Sequence, residues 1–104
     1  MTACSLYVTT ASKEAARKVA HALIEARLAA CANIIEGVTS VYWWEGTVQE
    51  DAECVVVLKT RQDLVDAATD KVLQVHEYDC PCVVALPITG GNPEFLDWIV
   101  KETS

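Results

Sequence analysis

Residues 32–60 read ANIIEGVTSVYWWEGTVQEDAECVVVLKT, and this stretch decides the fold. Two runs rich in β-branched and aromatic side chains, residues 32–44 and 47–60, flank the turn dipeptide Glu45-Gly46 and predict a long β-hairpin. Glu36-Gly37 interrupts the first arm and predicts a bulge or bend there. In the second arm the polar residues 49–53 precede an apolar run, residues 54–58. Adjacent side chains on a strand point to opposite faces, so Trp43 and Trp44 cannot both enter the core of one chain. One of them faces a partner, a ligand or water. Aromatics are enriched in interface cores, so Tyr42, Trp43 and Trp44 are expected at a subunit interface, with a stacking site for a ligand as the alternative.

Outward from the hairpin, residues 5–10 alternate as a first strand. Ser12 then offers a helix N-cap, with Glu14 in the first turn. Ala16, Val19, Ala20 and Leu23 recur at helical spacing and predict an amphipathic helix reaching about Ala30. After the hairpin, Asp63 and Asp66 open a second helix with a stripe of Leu64, Ala67, Ala68, Val72 and Val75, ending near His76. Residues 82–88 read as a fourth strand, and Pro81 and Pro87 suit an edge position. Asn92-Pro93-Glu94 supplies a cap, an N1 proline and an early acid for a short C-terminal helix carrying Phe95, Leu96, Trp98 and Ile99. The order is β-α-β-β-α-β. It predicts a single α+β domain over residues 1–104 with the ferredoxin-like fold, an antiparallel sheet with both main helices on one face. The other face has no cover within one chain, and a neighbouring subunit is expected to supply it.

Composition narrows the function classes. Among 104 residues, 52% are hydrophobic, which excludes disorder, yet no apolar run approaches the roughly 18 residues of a membrane span. Eight Lys and Arg against 15 Asp and Glu leave a net charge of -7, which argues against nucleic acid. No base stands between Arg27 and Lys59 or between Lys71 and Lys101, so both stretches are electronegative. They concentrate cations, or simply keep a sticky sheet soluble. The N-terminus has no basic and apolar leader, the count of five cysteines is odd, and Cys4, Cys31 and Cys54 sit in or beside apolar structured segments, so a cytoplasmic protein with free thiols is expected.

The densest polar cluster is His76-Glu77-Tyr78-Asp79-Cys80-Pro81-Cys82. Imidazole and thiolate are donors that copper and zinc prefer, so His76, Cys80 and Cys82 are the candidate metal ligands. The plain alternative makes His76 a helix cap and the cysteines loop and core residues. Lys59 ends an apolar run and is expected to pair with a carboxylate such as Glu53, or to contact a ligand. His21 lies on a solvated helix face, and no hydrolase spacing surrounds Cys31. An acylphosphatase-like enzyme would need an Arg-bearing phosphate loop, which is not visible, so no catalytic residue is assigned.

Several stretches together resemble the CutA divalent-cation tolerance family: residues 30–35 (Ala-Cys-Ala-Asn-Ile-Ile), 39–46, 51–53, 58–60, His76-Glu77-Tyr78, Leu86-Pro87-Ile88 and 95–99. The resemblance spans nearly the whole chain in order. It implies a ferredoxin-like subunit in a tight homotrimer related in shape to the PII signalling proteins, with no catalytic activity and a link to copper and other divalent metals. Trp98 joins Tyr42, Trp43 and Trp44 as an expected trimer contact. A second function follows from the same shape, a PII-like regulatory module binding a small metabolite in inter-subunit clefts lined by Cys31, Trp44, Glu53, Lys59 and Tyr78. The sequence departs from the family pattern at Glu36 and Glu77, where proline is usual, and at Cys82, where glutamate is usual. A copper site proposed for bacterial members uses a Cys at the position of Thr9 and two adjacent His. Only the second of these matches, at His76, and Val75 replaces the first.

Overall fold

The computed structural model describes residues 2–104. Its order is β1 (Ala3–Thr10), α1 (Lys13–Glu25), β2 (Cys31–Trp44), β3 (Thr47–Arg61), a single 3-10 turn (Gln62–Leu64), α2 (Val65–Val75), β4 (Val83–Pro87) and α3 (Pro93–Glu102). The sheet runs β2-β3-β1-β4 and every pairing is antiparallel. This is the expected ferredoxin-like α+β arrangement. Pro87 falls at the end of β4, an edge strand, where its missing N–H costs no ladder bond.

One sheet face is dry. Leu6 and Val8 of β1 meet Leu58 and Val56 of β3 in register, and α1 covers them with Ala16, Val19, Ala20 and Leu23. From α2, Ala68 and Val72 complete the cluster, while Val65 and Val75 pack at its margin. Ala67, expected in that stripe, is exposed instead, because the helix begins at Val65 after the 3-10 turn and so presents Val65 and Ala68 inward. Thr10, buried in this layer, keeps its hydroxyl within 3.0 Å of the Cys54 carbonyl and 3.1 Å of that of Ser12, so its polarity is satisfied.

Helix α1 stops well before Ala30. Arg27 is left-handed at φ 59°, the Leu28 amide donates to the Leu23 carbonyl at 2.9 Å, and the Arg27 amide donates to Ile24 at 3.1 Å. That pair of bonds is a Schellman ending, built here without glycine. Its start is as expected, with the Ser12 hydroxyl accepting from the Ala15 amide. At α3 the Asn92 side chain accepts from the Glu94 amide with Pro93 at the first position. Helix α3 packs on β1 and β3 with Ile99 fully buried, and its last turn is held by Arg27, whose guanidinium lies 2.7 Å from the Glu102 carboxylate.

The β2-β3 hairpin closes through Glu45 (φ 49°) and Gly46 (φ 80°), a two-residue turn with both centres left-handed, the type I′ geometry that matches strand twist. The ladder slips between Ile35 and Val38, with Gly37 at φ 77°. This bulge changes the parity of β2, so Ile35 and then Val38, Ser40, Tyr42 and Trp44 share the sheet face away from α1 and α2. The arm projects beyond the helices. The molecule is 44 Å long and its radius of gyration is 14.0 Å, against about 13 Å for a compact chain of this length.

Candidate functional site

Beyond the bulge, the alternation of β2 and β3 puts Tyr42 and Trp44 beside Asp51 and Glu53 on the face opposite the main helices. The segment between α2 and β4 folds over the same face near Thr9. Between the two lies a groove of about 770 Å³, with Ser40, Tyr42 and Trp44 on one wall and Tyr78, Asp79 and Cys80 on the other. Asp51 and Glu53 lie along its floor strand, and Glu77 and Cys82 complete the loop wall. No Lys, Arg or His lines it among the described residues.

The loop wall is pinned rather than draped. His76 caps α2 through its amide, which donates to the Val72 carbonyl at 2.8 Å. Its Nε2 lies 2.7 Å from the Thr9 carbonyl oxygen, and its Nδ1 accepts from the Tyr78 amide at 3.1 Å. That pattern uses the neutral ring with its proton on Nε2. The Tyr78 ring rests against the imidazole, 4.7 Å between centroids, and its hydroxyl donates to Glu53 Oε2 at 2.8 Å. Tyr42 makes the matching pair by donating to Asp51 across the hairpin. Both phenols are held in their protonated forms. For Tyr78 burial comes first, then the hydrogen bond to Glu53 and its charge; for Tyr42 the hydrogen bond to Asp51 comes first.

Of the residues expected to bind metal, Cys80 and Cys82 reach the groove together, both exposed. His76 does not line it, and both its ring nitrogens are engaged by the protein. Among the described residues no group of three or more His, Cys, Asp or Glu is gathered as an ion site. The residues expected at an inter-subunit cleft fall into two groups within one chain. Trp44, Glu53 and Tyr78 line the groove, whereas Cys31 and Lys59 pair with each other at the far end of the sheet. Lys59 donates to Asn33 Oδ1 at 2.6 Å and forms no ion pair with Glu53, because six residues of strand separate them by about 20 Å.

The Tyr42–Asp51 pair escaped the sequence reading although a signal existed. With the turn at residues 45–46, Ser40 opposes Asp51, which sets Asp51 diagonal to Tyr42 on one face. The bond from His76 to Thr9 spans α2 and β1 and has no sequence signal. As expected, Trp43 and Trp44 part company. Trp44 lines the groove, while Trp43 is 74% exposed on the opposite face. Tyr42 and Trp98 are also exposed, the latter stacked on Phe95 at 5.4 Å.

The profile of the CutA1 divalent ion tolerance protein family matches residues 4–102. Over 98 residues the chain is 52% identical to the chloroplastic protein CutA 1 of Oryza sativa subsp. japonica, covering 94% of this chain and 55% of that one. The rice CutA1 crystal structure superposes with a TM-score of 0.94 at 49% identity, covering 100% of this chain and 94% of that one. A divalent cation tolerance protein from Thermus thermophilus superposes with a TM-score of 0.95 at 43% identity, covering 98% and 99% of the two chains. The chain spans about half the length of the curated plant and mammalian relatives it matches.

Proposed function

The chain belongs to the CutA1 family of divalent ion tolerance proteins, and we propose that it serves cation tolerance as a homotrimer whose groove binds the ion, without catalysing a reaction. The observation that carries this reading is the lining of the groove. Four carboxylates (Asp51, Glu53, Glu77 and Asp79) and two thiols face one space without a single basic side chain among the described residues, which favours a cation over an anion there. Trimer formation draws on the open sheet face, where Ile35, Val84 and Leu86 are about half exposed, and on Trp43, Val41 and Val48 of the arm. Three copies assembled through these side chains remove from water the apolar surface that one copy leaves out. We place the protein in a reducing compartment such as the cytoplasm, in keeping with its five unpaired cysteines. No helix among the described residues is long and apolar enough to cross a membrane.

Equilibrium dialysis against Cu²⁺ and Zn²⁺ tests the groove. Wild type is expected to retain the ions, and an Asp51→Asn, Glu53→Gln, Glu77→Gln, Asp79→Asn variant that keeps its circular dichroism spectrum is expected to retain markedly less. Equal retention would overturn the reading. A specific observation favours a second reading, a small metabolite as the ligand. The groove volume lies within the roughly 300–1,000 Å³ of small-molecule sites, and Tyr42, Trp44 and Tyr78 offer aromatic surface. A thermal-shift screen in which metabolites, and not metal ions, raise the unfolding temperature would favour it.

A further inference from the structure

The five cysteines do not share one environment. Cys4 and Cys54 are buried in the sheet, and burial pushes the Cys4 thiol up, away from the reactive thiolate. Cys31 is half-buried on β2 at the end of the sheet remote from the groove. Only Cys80 and Cys82 are exposed, and both line the same groove.

Their backbone is held on either side. Upstream, Tyr78 is bonded to His76 through its amide and to Glu53 through its hydroxyl. Downstream, Val83 enters the ladder opposite Val8. Between the thiols stands Pro81, whose ring fixes its own φ and disfavours helical backbone at Cys80. Two residues of chain span at most about 7 Å between Cα atoms, so two side chains bordering one groove are within reach of one ion. The ordering of this short span is done before any ion arrives.

We propose that Cys80 and Cys82 form a two-thiolate site for a soft monovalent ion of the Cu(I) class. This deepens the reading of the groove as a cation site and rests on it. Thiolates select soft ions over the hard ones that carboxylates prefer, and a linear bis-thiolate ion needs no third ligand, which suits a place where no three donors converge among the described residues. A tetrahedral zinc centre would need two more ligands. Neither cysteine stands at a position where the family resemblance puts a copper ligand, and Cys82 is one of this chain's departures from the family pattern. Loading is an exchange without electron transfer. The ion leaves a weaker chelate, two S–Cu bonds form, and the two thiol protons pass to water. The Asp51, Glu53, Glu77 and Asp79 carboxylates favour entry of the cation but do not bind it.

The test is an anaerobic competition for Cu(I) held by bicinchoninate, with ascorbate as reductant. Wild type is expected to withdraw one Cu(I) per chain. Cys80→Ser and Cys82→Ser should each weaken this at least about 100-fold, and Cys31→Ser should leave it unchanged. Circular dichroism and sedimentation of each variant separate lost binding from lost fold. Undiminished Cu(I) uptake by the Cys80→Ser, Cys82→Ser double variant overturns the proposal, and so does a stoichiometry of one Cu(I) per two chains, which puts the bridge between molecules. If the double variant keeps its Cu(I) while the carboxylate variant loses Cu²⁺ and Zn²⁺, the dithiol site falls and the groove reading stands. If wild type takes up none of the three ions, both fall.

Discussion

Tyr78 shows how one side chain holds the site together. Its amide bonds the ring that caps α2, its ring packs on that imidazole, and its hydroxyl reaches a carboxylate on β3. The raised pKa values of Tyr78 and Tyr42 have a consequence for stability. An unfolded tyrosine releases its proton near pH 10, whereas the folded chain keeps both protons above that. The native state then binds more protons than the unfolded state, so the stability these groups contribute is fully present below about pH 10 and is lost as pH rises above it. The urea midpoint is therefore expected to drop between about pH 9 and about pH 11, and the drop should be smaller in Tyr78→Phe. An identical drop in that variant would mean that the hydroxyl is free in solution. Much of this was hidden in the sequence. His76 and Tyr78 were legible as polar candidates, but a ring nitrogen is assigned by what it touches, and Thr9 lies 67 residues upstream of His76. With both nitrogens taken, His76 is a positioning residue.

At the level of the element, side-chain caps and turn dipeptides were legible in the sequence, and the end of α1 was not. Ser12 and Asn92 cap their helices as expected, since an oxygen two or three residues from an orphan amide needs no distant partner. Helix α1 ends earlier than its apolar spacing suggests because Arg27, an ordinary helix former, adopts a left-handed conformation that glycine usually supplies. Its ion pair with Glu102, tertiary in origin, helps to hold it there. Replacing Arg27 separates the two effects. Arg27→Ala loses the ion pair and keeps the strain, while Arg27→Gly loses the pair and relieves it, so the glycine variant should be more stable by roughly 1 kcal/mol in chemical denaturation. Equal or lower stability of Arg27→Gly would show that this turn does not limit the helix. In the hairpin, Glu45-Gly46 and Glu36-Gly37 announced both a turn and a bulge. Only the pairing Ile35↔Val55 followed by Val38↔Glu53 shows that the bulge moves Trp44 and Tyr42, rather than Trp43, onto the groove.

For the whole molecule the decisive property is what one chain leaves uncovered. Trp43 is 74% exposed, with Val41 at 62% and Val48 at 57% beside it, so in the proposed trimer a charge at Trp43 disturbs little within the chain and much between chains. Trp43→Glu is expected to keep its unfolding midpoint at low protein concentration and to sediment as a smaller species than wild type. Assembly should also tighten with added salt, because each copy carries -7 and screening weakens the repulsion between them. Sedimentation that is unchanged by the substitution would remove the arm from the interface.

The alternation of apolar residues, the two capped helix starts, the turn dipeptides and the edge prolines determined the element order, and with it the ferredoxin-like fold. These are nearest-neighbour effects, and each is complete within a few residues. The register of β2 past its bulge, the separation of Cys31 from Glu53, and the engagement of His76 by Thr9 were decided only when the strands paired. Distance in the folded chain depends on which residues oppose each other across a ladder, and a one-residue slip, invisible in composition, sends every later side chain to the other face.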